Sequence, residues 1–349
     1  MSESPVDVLI VGQGLAGSLL AWSLLRRGQR VLVLDDGHRS AASTVAAGLL
    51  NPITGQRLVK GPEVDACLSE ARRCYRELEQ QLARPLLHSK PIWRLFQNEQ
   101  EREAWHRRAA DPAYADYLGE PLPVMDSPRA PWGGFVQRHT GYLDTQALLD
   151  GMREWLRTHQ AFREECFTHA RLEVSERGVG YAGLVARRLI FCEGWRALEN
   201  PWFAQLPLTP SRGTILTLHC EAPLTEVILN QGRWLMPRGG GEYRLGASYD
   251  REQLQKPPDQ VEIDGLTAHL ETWFQPPPAY TLSAAQSGVR PNTRDKQPLL
   301  GLHPQYPALG VFNGFGSRGS LLIPWHAQRM AELLCEATPL PAQVDIARL

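Results

Sequence analysis

The chain lacks the features that build proteins around disulfides or metals. Its six cysteines, Cys67, Cys74, Cys166, Cys192, Cys220 and Cys335, are scattered over 349 residues, and none stands in a C-x-x-C pair. Cys67 and Cys74, seven apart in a helical stretch, read as packing residues. A disulfide framework is not expected in a chain of this length whose residues 1–5 are polar and carry no secretory pattern. The ten histidines are dispersed, so no metal set is expected, and isolated ones such as His38 and His326 read as surface or internally satisfied residues. Charge of one sign is also missing: 37 basic against 38 acidic residues give a net charge of -1, which argues against a generally basic nucleic-acid binder. No apolar run is long enough to span a bilayer. The expected location is therefore the cytoplasm. There is no internal repeat and no low-complexity segment. What is present, 43% hydrophobic against 21% charged residues, is enough for a large core and too little charge for disorder. The length favours two domains or one elaborated one.

The most specific signal lies in the first 36 residues. Asp7–Val11 reads as a buried strand, and Gly12, Gly14 and Gly17 follow in G-x-G-x-x-G spacing. An apolar helix is expected from Leu15 to Arg27, ending at Gly28, and a second strand from Val31 to Leu34 leads to Asp35. This is a dinucleotide-binding βαβ start. Gly12 permits the tight reversal, Gly14 lets backbone approach a pyrophosphate, and Gly17 lets helix and strand close up. The helix N-terminus at Leu15 and Ala16 offers N–H groups to the phosphates. Asp35, followed by Asp36, is placed to accept from the ribose hydroxyls.

Further along, Glu63–Leu82 and Gln146–His159 read as amphipathic helices, the second capped by Asp144 or Thr145. Asn98–Tyr117 is charged and partly helical, and the proline-rich Pro121–Trp132 reads as a connector. Gly134–Tyr142 looks extended. Strands are expected at Gly213–His219, Glu226–Asn230, Arg233–Pro237 and Tyr243–Ser248, an antiparallel sheet followed by a helix over Asp259–Phe274. The end returns to α/β. Leu189–Cys192 runs into Glu193–Gly194. Leu309–Asn313 runs into a second glycine turn, Gly314, Gly316 and Gly319, and a helix is expected over Pro324–Glu336.

Taken in order, these segments resemble the D-amino-acid oxidase family of flavoproteins, which includes glycine oxidase and sarcosine oxidase. The resemblance rests on the first glycine turn with Asp35, on STVAAGLLNP (Ser43–Pro52) and on PSRGTILTL (Pro210–Leu218). It extends to the Trp234–Tyr249 hairpin, to SGVRPNTRDKQPLLG (Ser287–Gly301) and to NGFGSRGSLLIP (Asn313–Pro324). It implies an α/β protein: a Rossmann-type, GR2-like FAD-binding domain from 1–82, 140–205 and 285–349. An inserted antiparallel-sheet α+β substrate domain would come from 83–139 and 206–284. It implies FAD, held noncovalently, since Ser283–Gly301 contains no cysteine of the kind that tethers flavin in some relatives. Besides the first turn, the FAD-binding residues implied are Asp35, Asp36, Ser43, Ala47, Gly48, Leu49, Gly194, Gly314, Gly316, Ser317, Arg318, Gly319 and Ser320. The helix after the second turn would face the flavin pyrimidine.

The resemblance also implies a reaction: oxidation of a small amino acid or secondary amine, with O2 or another acceptor taking the electrons. Arg290 matches the family's carboxylate-binding arginine, against the plain alternative of an ion pair with Asp295. Tyr249, ending a strand on the face of Tyr243, is the second candidate, and Arg318 and Asn51 complete the set. Phe315 stands where the family has a histidine, and Ser317 where some amine oxidases have an arginine. The alternatives are a 2-hydroxy-acid dehydrogenase, a tRNA-modifying amine-oxidase-like enzyme, and an FAD-binding scaffold without turnover.

Overall fold

The computed structural model describes residues 6–37 and 41–349; His38 and residues 1–5 lie outside them. The first strand, Val6–Val11, sits at the centre of a parallel sheet because its Val, Leu and Ile side chains are covered on both faces. Val31–Asp35 pairs on one side of it and Leu184–Phe191 on the other. Phe162–Glu164 adds beyond Val31–Asp35, and Leu309–Asn313 beyond Leu184–Phe191. In chain order this reads 3-2-1-4-5, a doubly wound arrangement. The antiparallel strands Leu172–Ser175, Gly178–Tyr181 and Leu299–Leu302 extend it.

Helix Leu15–Leu25 is buried on nearly every side, which is why it shows no polar stripe. Its apolar residues share one core with helices Val64–Leu82, Thr145–Thr158 and Gly319–Glu336 on one face of the parallel sheet. The opposite face is covered by the Leu172–Tyr181 hairpin with Phe203 and Leu206.

A second large sheet has the order Thr281–Arg290, Ser211–His219, Glu242–Gly246, Arg233–Gly239, Ile228–Gln231, Ile92–Leu95, Gly134–Gln137, Leu118–Leu122. Helix Gln260–Trp273 packs on one face through Leu266, Leu270 and Trp273. The strand Thr281–Arg290 belongs entirely to this sheet, pairing with Ser211–His219 over its whole length. The expected boundary at 285 falls inside this strand.

Two sequence expectations shift. The C-terminal helix begins at Gly319 and runs through Pro324. Pro324 has no N–H for the Ser320 carbonyl, and buried Tyr75 replaces it, its Oη donating to Ser320 O at 2.7 Å. The hairpin strand ends at Gly246, so Tyr249 lies in the following loop. Tyr243 is buried in the sheet-domain core, while Tyr249 is 55% exposed.

Candidate active site

The two sheets enclose a cavity of about 1390 Å³. This exceeds the ~300–1,000 Å³ usual for drug-sized ligands and has room for a dinucleotide with a small substrate. Every cofactor residue expected from the sequence other than Gly17 and Gly314 lines it, as do Arg290, Tyr249 and Asn51.

At one end the first glycine turn has the expected geometry. Gly12 has φ +98°, and a Cβ on Gly17 would stand 1.9 Å from the Gly12 carbonyl oxygen, so only glycine allows that helix to close on the turn. At Gly14 a Cβ would meet nothing nearer than Ser43 Oγ at 3.5 Å; the space beside it belongs to the cavity. Ser43 Oγ also accepts from Leu15 N at 3.0 Å, tying the 43–52 segment to the helix start. Asp35 does more than face a ribose. Its carboxylate accepts from Gln13 N at 2.8 Å, Gly37 N at 2.9 Å and Arg153 Nη2 at 2.9 Å. Arg153 Nε reaches Gln13 Oε1 as well, so this arginine holds turn and acid together. Asp36 is paired with Arg196 Nη1 at 2.8 Å.

The Ser43–Pro52 segment is fastened to the second sheet. Arg244 donates to the carbonyls of Val45 at 2.7 Å and Ala46 at 2.9 Å, at the C-terminus of the short helix Ala42–Val45. Asn51 Oδ1 accepts from Gln137 Nε2 at 2.6 Å. Its remaining amide N–H groups have no partner among the described residues, and it lines the cavity beside Leu49. At the far end, Gly316, Ser317, Arg318, Gly319 and Ser320 bring the N-terminus of helix Gly319–Glu336 to the cavity wall. Its free N–H groups and partial positive charge suit an electron-rich ring edge.

The arginines sort themselves by partner. Arg212 and Arg290 belong to paired strands, yet their environments are opposite. Arg212 is 1% exposed and gripped by Glu262 at 2.7 and 3.0 Å, with Asp250 at 3.3 Å. It is a structural hub. The Arg290 guanidinium has no hydrogen bond or ion pair among the described residues, and Asp295, its expected alternative partner, is taken by Arg348 at 2.9 Å. The Arg290 guanidinium lies over Gly213, where a Cβ would come within 2.0 Å of Nη2. Burial lowers its pKa, the Tyr249 phenol acts in the other direction, and the Arg233 charge lowers it further. Tyr249 Oη accepts from Arg251 Nε at 2.8 Å, which leaves its own O–H proton to donate.

Arg318 turns partly away from this end. Its Nε and Nη2 are buried without partners, and its guanidinium nitrogens lie 3.8 Å from where a Cβ on Gly61 would be. Burial lowers its pKa, and nearby Cys67 opposes that shift. His326 behind the turn is buried; its Nδ1 bonds the Leu322 carbonyl at 2.7 Å, and burial pulls its pKa down to about 4. Phe315 packs against its ring. Sequence reasoning missed Arg153 and Arg244. Each is named only by what it touches, and those contacts bring together segments distant in sequence.

The comparison with known families settles the cofactor class. A family model described as FAD dependent oxidoreductase matches residues 7–333. The chain belongs to this DAO family. It is an FAD-dependent oxidoreductase. The glycine oxidase of Pseudomonas putida is 25% identical over 96% of this chain and 96% of that protein. The tRNA 5-methylaminomethyl-2-thiouridine biosynthesis bifunctional protein MnmC of Maricaulis maris is 29% identical over 98% of this chain, which spans 54% of that protein. Among solved structures, glycine oxidase from Geobacillus kaustophilus superposes with a TM-score of 0.83 at 20% identity, covering 97% of this chain and 96% of that one. That likeness gives the fold: a Rossmann-type FAD-binding domain with an inserted sheet domain. Among the described residues no helix is long and apolar enough to cross a membrane.

Proposed function

We propose that this chain oxidises a small amino acid or secondary amine, with Arg290 holding the substrate carboxylate. The observation that carries this is the arginine itself: half-buried at the cavity wall, seated over Gly213 and without a carboxylate of its own. A half-buried guanidinium left unpaired is costly, and an incoming carboxylate relieves that cost with a bidentate pair. Bound FAD supplies the acceptor for the hydride leaving the amine-bearing carbon; a proton leaves the nitrogen, and water splits the imine to an oxo acid or aldehyde and an amine.

The chain's own residues do the rest. Arg290 fixes the carboxylate and so the angle of the adjacent C–H bond. Tyr249 donates its O–H to the same carboxylate or to the amine. Asn51, anchored by Gln137, offers its amide N–H to the substrate. Ile215 and Trp234 form an apolar wall that keeps water back. Arg318 supports the flavin end of the second glycine turn. Gly12, Gly14, Leu15 and Ala16 would hold the pyrophosphate, Gly17 letting the helix close on that turn, and Asp35 and Asp36 would stand toward the ribose. Ser43, Ala47, Gly48, Leu49 and Gly194 would flank the ring system, and Gly316, Ser317, Gly319 and Ser320, on the turn that Gly314 opens, would face its other edge. FAD is held noncovalently: the two cysteines lining the cavity, Cys166 and Cys192, stand at the nucleotide end. On this reading O2 or another acceptor reoxidises the flavin, in the cytoplasm, and no nucleic acid takes part. The MnmC similarity supports a second reading, in which the amine is carried on tRNA.

The test is anaerobic bleaching of the purified flavoprotein. Free amino acids and N-alkyl amino acids are expected to reduce it. Reduction by 2-hydroxy acids alone, or by amine-modified tRNA alone, contradicts the proposal.

A further inference from the structure

Arg196 has no role in the reaction so far described. It lies in the short 3-10 helix Gly194–Glu199, which follows the strand Leu184–Phe191. Its neighbours Trp195 and Ala197 are buried, while Arg196 is half-exposed and lines the cavity. The backbone from which it projects is held firmly. The Gly194 carbonyl accepts from Asn313 Nδ2 at 2.7 Å, and Glu193 is held by His169 Nε2 at 2.8 Å and by Asn200 Nδ2 at 2.7 Å. From this fixed base Arg196 Nη1 reaches Asp36 Oδ2 at 2.8 Å.

The topology gives this ion pair its meaning. Asp36 follows the strand Val31–Asp35 and Arg196 follows Leu184–Phe191, and these two strands flank Val6–Val11 on opposite sides. The three strand ends are level: Gly12 N donates to the Leu34 carbonyl and Cys192 N to the Val11 carbonyl, each at 2.8 Å. The outer two strands are two spacings apart, about 9–10 Å. Between them the first glycine turn leaves the central strand. The order 3-2-1-4-5 changes direction beside that strand, and an open α/β sheet takes its ligand in the crevice at such a point. The ion pair therefore crosses the crevice from one side to the other, and both its residues line the cavity. A dinucleotide whose pyrophosphate meets the glycine turn has to pass it. The pair is also open to water: Arg196 is 42% and Asp36 17% exposed, against 18% and 7% for Arg153 and Asp35.

We propose that the Arg196–Asp36 pair is a strap across the nucleotide end of the cavity, closed over bound FAD and opened by rotation of the Arg196 side chain whenever FAD enters or leaves. Arg196 is a retention residue: it slows exchange in both directions and takes no part in substrate oxidation. Ion pairs this exposed are weak, so the strap opens often, and its loss changes rates several-fold and not by orders of magnitude. The proposal stands on the cofactor class and is independent of the amine-oxidising reading.

The experiment times FAD exchange. Release is followed from the holoenzyme with an excess of an apoflavoprotein that captures free FAD, and recombination by the quenching of FAD fluorescence on the FAD-stripped chain. Arg196→Met is expected to speed release about fivefold, which is about 1 kcal/mol, and to speed recombination alike, so that FAD affinity stays within about twofold of wild type. Arg196→Lys, which keeps the charge, should recover part of the slow release. A second measurement needs no variant: salt at about 0.5 M should speed release from wild type by a similar factor and leave Arg196→Met unmoved. Turnover of the FAD-loaded variant should match wild type. Release from Arg196→Met at the wild-type rate, or release from wild type indifferent to salt, overturns the proposal. Faster release with unchanged recombination also overturns it, since that result makes Arg196 a direct ligand of the nucleotide and not a strap.

Discussion

Gly213→Ala is the most economical way to disturb Arg290 without touching its charge. Gly213 lies in a paired strand with no positive φ, so its backbone accepts alanine without strain. The added methyl, however, would stand 2.0 Å from Arg290 Nη2 and 2.5 Å from Nη1 and Cζ. Unstrained contact needs about 3.5 Å, so the guanidinium must retreat by about 1.5 Å. What moves is the end of a flexible side chain, so the strand stays in register. A displacement of about 1 Å in a positioning group costs on the order of a hundredfold in rate, about 2.7 kcal/mol. The assay is anaerobic flavin reduction across substrate concentration, beside thermal denaturation of the same preparation. The expected result is a fall in kcat/KM of about a hundredfold with the melting temperature close to wild type. In an Arg290→Met background the same alanine should add nothing further. A kcat/KM within about threefold of wild type, or a loss that persists without Arg290, refutes the reasoning.

Two other outcomes follow from buried contacts. Tyr75→Phe leaves the Ser320 carbonyl without a donor and should destabilise the protein by about 1–3 kcal/mol in chemical denaturation. Adding Pro324→Ala supplies a backbone N–H to that carbonyl, so the double variant should lose less than the sum of the two single changes; strict additivity would contradict the account. His326 is held neutral by burial, its pKa pulled from 6.5 down to about 4. The unfolded chain therefore binds the extra proton first, and stability should fall as pH drops from about 6.5 to about 4, by at most about 3 kcal/mol. His326→Asn should flatten that part of the pH–stability profile, and an unchanged slope would show that other groups carry it.

Much of this molecule is visible locally. The first βαβ unit is written in its glycine spacing, its apolar strands and the acid after the second strand. The middle strands show their period of two, and the second glycine turn announces the last helix. What local pattern misplaces is set by distant partners. The helix start at Pro324 moves back to Gly319 because Tyr75, far away in sequence, replaces a missing backbone donor. Tyr249 falls outside its strand because the regular ladder with Ser211–His219 ends at Gly246 and resumes only as a single bridge between Arg212 and Asp250. At the site, Arg290 is legible through the Val-Arg-Pro segment. Arg153 and Arg244 are not, because neither stands in a local motif. What distinguishes them is contact with Asp35 and with the Val45 and Ala46 carbonyls, which only the folded arrangement displays.

The central claim is that Arg290 is the carboxylate-binding group of the amine site. The direct measurement is titration of FAD-loaded wild type and Arg290→Met with a redox-inert carboxylate, read as perturbation of the flavin spectrum. The account predicts saturable binding by the wild type and a dissociation constant raised about thirtyfold or more in the variant, with FAD retained. Equal affinity in the two proteins would contradict it.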